Sequence, residues 1–194
     1  MPNWTYNQIT IKGNKETLNK IMNDAKLEDG KLTFTSWLEY PQTYLDYDTT
    51  NFPNGDKLKV GEVFSPGLQG AKHAGEVITE ELIEEYKEAT KYQLENYGVV
   101  GWYDFNRVYF GCKWNSEIES SWASEEELVF TCDTPWTSPE GFLLKMSEKY
   151  PDVVFFNHAV YEDGFWEDTD YEDGEITFEE EGEIEEEDEE EAYE

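Results

Sequence analysis

The sequence predicts an α+β fold: an antiparallel, ferredoxin-like sheet with helices on one face, a helical insertion at about 40–105, and an acidic C-terminal tail. Three observations predict it. Strand and helix signals run strand–helix–strand, then, after the insertion, strand–strand–helix–strand, the order of a split βαβ sheet. Aromatic residues make up 16% of the 194 residues, more than a disordered chain carries, so 1–161 reads as folded. The charge is also unevenly placed. The chain has 46 acids against 14 bases, and the stretch after Tyr161 holds 20 of the acids and no base.

Thr5–Ile11 alternates and ends at Gly13, a strand signal. Asn14 is placed to cap a helix whose apolar residues, Leu18, Ile21, Met22 and Ala25, fall at i, i+3, i+4 and i+7. Asp29-Gly30 then turns the chain into a second strand, Lys31–Trp37. From Tyr40 to Gly75 periodicity is weak and prolines and glycines recur. A structureless loop of that length is out of place in a compact domain, so the region reads as an insertion packed by Tyr40, Tyr44, Tyr47, Phe52 and Phe64. Thr79 caps a helix to about Tyr97, with Ile83, Tyr86, Thr90, Leu94 and Tyr97 along one face. Glu80, Glu81, Glu84 and Glu85 sit in its first turns, where the helix dipole favours anions, and Gly98 ends it.

Val108–Trp114, Ser116–Trp122 and Leu128–Cys132 are rich in β-branched and aromatic residues and read as three short strands. Ser138 and Pro139 start a helix, with the hydroxyl as cap and the proline in the first turn. Phe142, Met146 and Tyr150 form its apolar stripe, and Pro151 stops it. Val153–Tyr161 reads as the last strand, apolar enough to be central. The domain is thus expected over 1–165 and the acidic extension over 166–194.

Composition excludes several classes of function. At a net charge of -32, direct contact with nucleic acid or an anionic membrane is repelled. There is no apolar run long enough to span a bilayer and no leader-like start, so a cytoplasmic protein is expected. Cys112 and Cys132 form no C-x-x-C pair and read as reduced, packed thiols. Gly67-Leu-Gln-Gly70 lacks phosphate-loop spacing. Neither His73 nor His158 is spaced to activate a cysteine or to complete a zinc site. In Asp168–Gly174 the glycine falls one position late for a calcium loop. No catalytic residue, metal or cofactor is therefore expected. Trp102, Trp114, Trp122 and Trp136 read as core residues, with a ligand groove as the alternative.

The acidic stretch carries the functional reading. Its acids are interleaved with Phe165, Trp166, Tyr171, Ile176, Phe178 and Ile184, apolar anchors that a solubilising coil does not need. A helical tail would carry one charge per roughly 2.5 Å and an extended one per roughly 5.4 Å, bracketing the ~3.4 Å of one DNA strand. The expected function is non-enzymatic binding to a basic, nucleic-acid-binding protein by imitation of nucleic acid. The candidate partner-binding residues are Trp166, Asp168, Asp170, Tyr171, Glu172, Asp173, Phe178, Glu179, Glu180, Glu181, Glu183, Glu185, Glu186, Glu187, Asp188, Glu189, Glu190 and Glu191. The alternative is a small ligand or nucleotide held in an aromatic groove, with the tail only a solubiliser. Oligomeric state is left open.

Four local patterns bear on origin: Met1-Pro2-Asn3-Trp4-Thr5-Tyr6-Asn7; Tyr97-Gly98 with Trp102-Tyr103 and Gly111-Cys112-Lys113-Trp114-Asn115; Phe130-Thr131-Cys132-Asp133-Thr134-Pro135-Trp136 leading to Lys149-Tyr150-Pro151; and Tyr161-Glu162-Asp163-Gly164-Phe165 leading to Asp173-Gly174. Together they resemble a phage- and plasmid-borne family of unknown function with a ferredoxin-like C-terminal domain. Thr5 stands where that family has cysteine, and Cys112 departs from its Gly-Thr-Lys-Trp pattern. The resemblance implies the fold and a mobile-element origin but no activity; the expected function is then that of a phage-encoded inhibitor of a host protein, such as a defence or transcription component. The resemblance implies no catalytic residue, and the final polyglutamate run lies beyond the family pattern.

Overall fold

A computed structural model describes residues 3–184. It contains one seven-stranded sheet, β1 (Trp4–Lys12), β2 (Leu32–Thr33), β3 (Glu117–Trp122), β4 (Glu127–Pro135), β5 (Val154–Tyr161), β6 (Phe165–Glu172) and β7 (Glu175–Glu183). Neighbouring strands are antiparallel and their order is β2-β3-β4-β1-β5-β6-β7. The helices are α1 (Lys15–Asp24), α2 (Thr43–Asp46), α3 (Glu80–Tyr97), α4 (Trp102–Tyr109) and α5 (Glu140–Lys149).

β1 runs through the middle and sets the two faces. Thr5, Asn7, Ile9 and Ile11 are buried while Trp4, Tyr6, Gln8 and Lys12 are exposed, the period of two that a sheet with one covered face requires. The covered face packs on α1 through Leu18 and Ile21 and on α5 through Phe142, Leu143 and Met146. The Asn14 side chain accepts the Thr17 N–H at 2.9 Å and caps α1 as its position predicts. At α5 the capping position is held by Pro139, without a side-chain cap bond, so the Ser138 hydroxyl does not cap the helix.

Two expected strands are something else. Of Lys31–Trp37 only Leu32–Thr33 is strand; Phe34–Ser36 is a 3-10 turn, in which Ser36 Oγ accepts the Thr33 N–H at 2.9 Å. In a strand, Phe34 and Trp37 would point to opposite faces. The turn brings residues three apart onto one side, and both rings enter the core. Phe34 stacks on Phe142 at 4.4 Å, and Trp37 lies 5.0 Å from Phe130 while donating its indole N–H to Ile21 O at 2.7 Å. Val108–Trp114 likewise does not pair. Val108 and Tyr109 end helix α4, and Phe110 is buried in the core. Gly111 follows at φ 84, so close to α5 that a Cβ would lie 2.7 Å from the Glu140 nitrogen. Core packing on a helical face outweighs β propensity here.

The insertion has its own core of Phe64, Ile78, Leu82 and Tyr86, with Tyr47 and Phe52 against it, and α3 is capped by Thr79 and ended by Gly98 as predicted. The carboxylate of fully buried Asp48 ties its loop down, accepting N–H groups from Gly67 (2.7 Å) and Leu68 (3.1 Å) and the Asn51 amide (2.9 Å).

His73 bridges two carboxylates in the insertion, Glu76 at 2.9 Å and Glu85 at 3.1 Å. The hydrogen bond to Glu76, helped by Glu85, holds its pKa above the ordinary 6.5. A base with a raised folded-state pKa adds stability that is complete below the unfolded value and disappears as pH rises through the folded one. Amide exchange at Phe64 and Gly75, whose N–H groups donate to Glu76 O and Phe64 O, should therefore become less protected, beyond the intrinsic pH effect, as pH rises above the ordinary 6.5. His73→Gln should remove that pH dependence.

Candidate functional site

The most distinctive surface is the β6–β7 hairpin, which occupies most of the stretch predicted to be a tail. The expected boundary at 165/166 falls at the start of β6, and Trp166–Glu183 is sheet apart from the turn. Its turn is Asp173-Gly174, both residues at positive φ (47 and 79), the combination that suits a two-residue hairpin. The Gly174 N–H donates to Ser147 Oγ at 3.0 Å, fastening the turn to α5.

Beneath the hairpin, Thr169 and Tyr171 are buried, and the Tyr171 ring belongs to the main core. Tyr171 is therefore no partner contact, which corrects its assignment; alternation along β6 turns it inward. Trp166 is also used internally. It pairs with Gly182 across the hairpin, and a Cβ on Gly182 would lie 2.7 Å from its indole, so the ring lies over the glycine and holds β7 in register. Asp173 is a turn residue first.

What remains is a lattice of carboxylates, of which Glu167 accepts the Tyr161 hydroxyl at 2.8 Å. Glu167 faces Glu181, Asp168 faces Glu180, and Glu172 faces Glu175, three like-charge pairs directly across β6–β7, an arrangement that destabilises a ladder. Asp168 has partial relief from His158 on β5, whose Nδ1 is 2.6 Å away. Asp170 is held above its ordinary range, chiefly by burial and then by Glu172 and Asp168. Glu179, Glu180, Glu181 and Glu183 are exposed, as are Ile176 and Phe178. From Phe165 to Glu183 there are ten acids and no base, on a hairpin about 30 Å long at ~3.3 Å per residue. That is one charge per roughly 3 Å, against ~3.4 Å along one DNA strand. β7 pairs with β6 alone and forms the sheet edge among the described residues. Glu185, Glu186, Glu187, Asp188, Glu189, Glu190 and Glu191 lie outside the described residues.

Other predicted sites resolve differently. Trp114, Trp122 and Trp136 were expected in the core and are instead 38, 46 and 47% exposed. Trp114 contacts both Trp4 (5.9 Å) and Trp136 (6.4 Å), with Lys113 Nζ over the rings of Trp114 and Trp136 at 4.8 and 5.2 Å. The ridge borders a groove of about 830 Å3 lined by Trp4, Tyr6, Trp114, Glu117, Glu119 and Asp133. Trp4 and Tyr6 were missed as functional candidates, although their even positions in an alternating strand place them on the uncovered face. Cys112 and Cys132 are free and buried. Burial pushes the Cys112 thiol up to about 12 and raises that of Cys132 too. Cys132 is on the covered face and His158 on the open one, so they do not meet. Among the described residues no three of His, Cys, Asp and Glu converge as metal ligands, and no helix is long and apolar enough to cross a membrane.

No family model matches the chain, and no curated protein does. Among solved structures it is similar to the protein api92 from Yersinia pseudotuberculosis, of the family-model DUF1281, at a TM-score of 0.51 and 11% identity, over 96% of this chain and 99% of that one. At that identity the likeness shows a shared fold and nothing of activity.

Proposed function

We propose that this chain is a non-enzymatic, phage-encoded, cytoplasmic binding protein that inhibits a host defence or other nucleic-acid-binding protein by occupying its basic surface. A ferredoxin-like core of β3-β4-β1-β5 is its scaffold, with α5 as one crossover and α1, β2 and the insertion together as the other. The four strands lie in the order such a core requires, each crossover spanning a strand of the other unit. The acidic hairpin is the recognition element.

The observation that carries the reading is the set of opposed carboxylates across β6–β7. The fold holds like charges face to face at an energetic cost, and a surface rich in arginine and lysine would remove that cost on binding. Protection of a sheet edge against aggregation also explains charged residues on β7, but it does not explain Ile176 and Phe178, left half-exposed among them. In the mimic those two are apolar contacts that fix register, while the carboxylates supply long-range attraction and displace counterions as DNA does. The chain immobilised and exposed to host lysate should capture its partner at about 50 mM salt and release it by about 500 mM. A partner retained equally at both would remove the electrostatic basis of the proposal.

A further inference from the structure

The groove on the open face contains a strand edge left without a partner in the interior of the sheet. β3 pairs with β4 only from Glu119 to Trp122, and the two residues before, Glu117 and Ile118, pair with β2. Beyond Thr131 the β3 side of β4 therefore has no strand beside it among the described residues. The Trp136 N–H donates to Asn3 O at 2.9 Å, toward β1. By the alternation of an antiparallel ladder the backbone groups of Thr134 and Cys132 also face β1. The N–H and C=O of Asp133 and the C=O of Pro135 consequently face the groove.

The walls say what would pair there. Lys31 is tied to Glu117 at 2.5 Å, whereas Glu119 and Asp133 have no ion pair among the described residues. Beside them Trp4 and Tyr6 are 40 and 44% exposed. The bordering Trp136 is held at φ 67, a conformation a tryptophan adopts only at a cost, of the kind kept at functional sites.

We infer that this groove receives an extended peptide bearing lysine or arginine. Its backbone adds to the β4 edge at Asp133, and its cationic side chain sits between the Glu119 and Asp133 carboxylates and the ring faces of Trp4 and Tyr6. A free backbone donor and acceptor select an extended chain over a compact ligand, and the unpaired acids select its charge. The site is independent of the hairpin reading: three strands, β1, β5 and β6, separate β4 from β7.

The test uses the full chain and the acetylated peptide Lys-Val-Lys-Val-Lys-Val at about 0.3 M salt, where diffuse attraction is screened. Amide exchange at Asp133 should slow at least tenfold on binding, and Asp133→Lys should weaken binding at least tenfold, while Glu180→Lys on the hairpin changes it less than twofold. The same peptide with N-methylated backbone should not bind. Equal binding of the methylated peptide, equal loss in both variants, or an Asp133 amide that exchanges unchanged overturns the inference, and none of these outcomes bears on the hairpin.

Discussion

Tyr171→Ala is expected to destabilise the domain by about 3–5 kcal/mol, the range for removing a fully buried aromatic ring. Tyr171 is 1% exposed and packs in the main core from β6, within the stretch whose composition suggests a solvated tail. The loss is measured by denaturant unfolding with the slope unchanged, which marks a change in stability alone. A cost below about 0.5 kcal/mol would mean that β6 is not part of the folded sheet. The same reasoning applies to truncation. Removal of 185–194 should leave the melting transition in place, whereas removal of 162–194 takes Thr169 and Tyr171 out of the core and should abolish cooperative folding.

The second large effect is on binding. Changing Glu179, Glu180 and Glu181 together to lysine alters the net charge by six. At roughly 0.5 kcal/mol per exposed charge this amounts to about 3 kcal/mol, or on the order of a hundredfold in affinity. All three side chains are exposed on the edge strand, so the fold should survive. The reversal should even help it, because two of the three directly opposed carboxylate pairs, Asp168–Glu180 and Glu167–Glu181, become attractive. A variant that melts higher yet binds far more weakly separates recognition from stability. Phe178→Ala should weaken binding less and leave the salt dependence alone, since it changes no charge.

Much of the fold was legible in the chain because single-face burial imposes a period. β1 alternates cleanly, α1 carries its cap and apolar spacing, and α3 is bounded by Thr79 and Gly98. Where the period fails, tertiary packing decides. Phe34 and Trp37 share a side because a 3-10 turn puts them there, and Val108–Phe110 is helical up to the buried Phe110 because α4 is packed by its rings. Phe105 lies 4.2 Å from Tyr44 and 4.6 Å from Tyr109. The hairpin was hidden for a different reason. β7 is an edge strand and β6 buries only Thr169 and Tyr171 fully, so almost every position is polar and alternation disappears beneath the charge. The surviving signal was local: Asp173-Gly174 followed by Glu-Ile-Thr-Phe, a turn dipeptide before a β-prone run. The candidate site was legible in its chemistry and not in its shape. Composition located the acids, but only the register shows which of them oppose each other and that Tyr171 and Trp166 face inward or lie against the hairpin itself.

In the proposed function the ordered acidic hairpin takes the place of nucleic acid on a basic surface. The most direct measurement is competition on the captured partner, with a labelled DNA or RNA duplex titrated at several fixed concentrations of this protein. The apparent dissociation constant of the duplex should rise in proportion to the concentration of this protein, and the Glu179/Glu180/Glu181→Lys variant should lose the effect. A partner that binds duplex and protein together, each with an affinity unaltered by the other, would contradict the proposal.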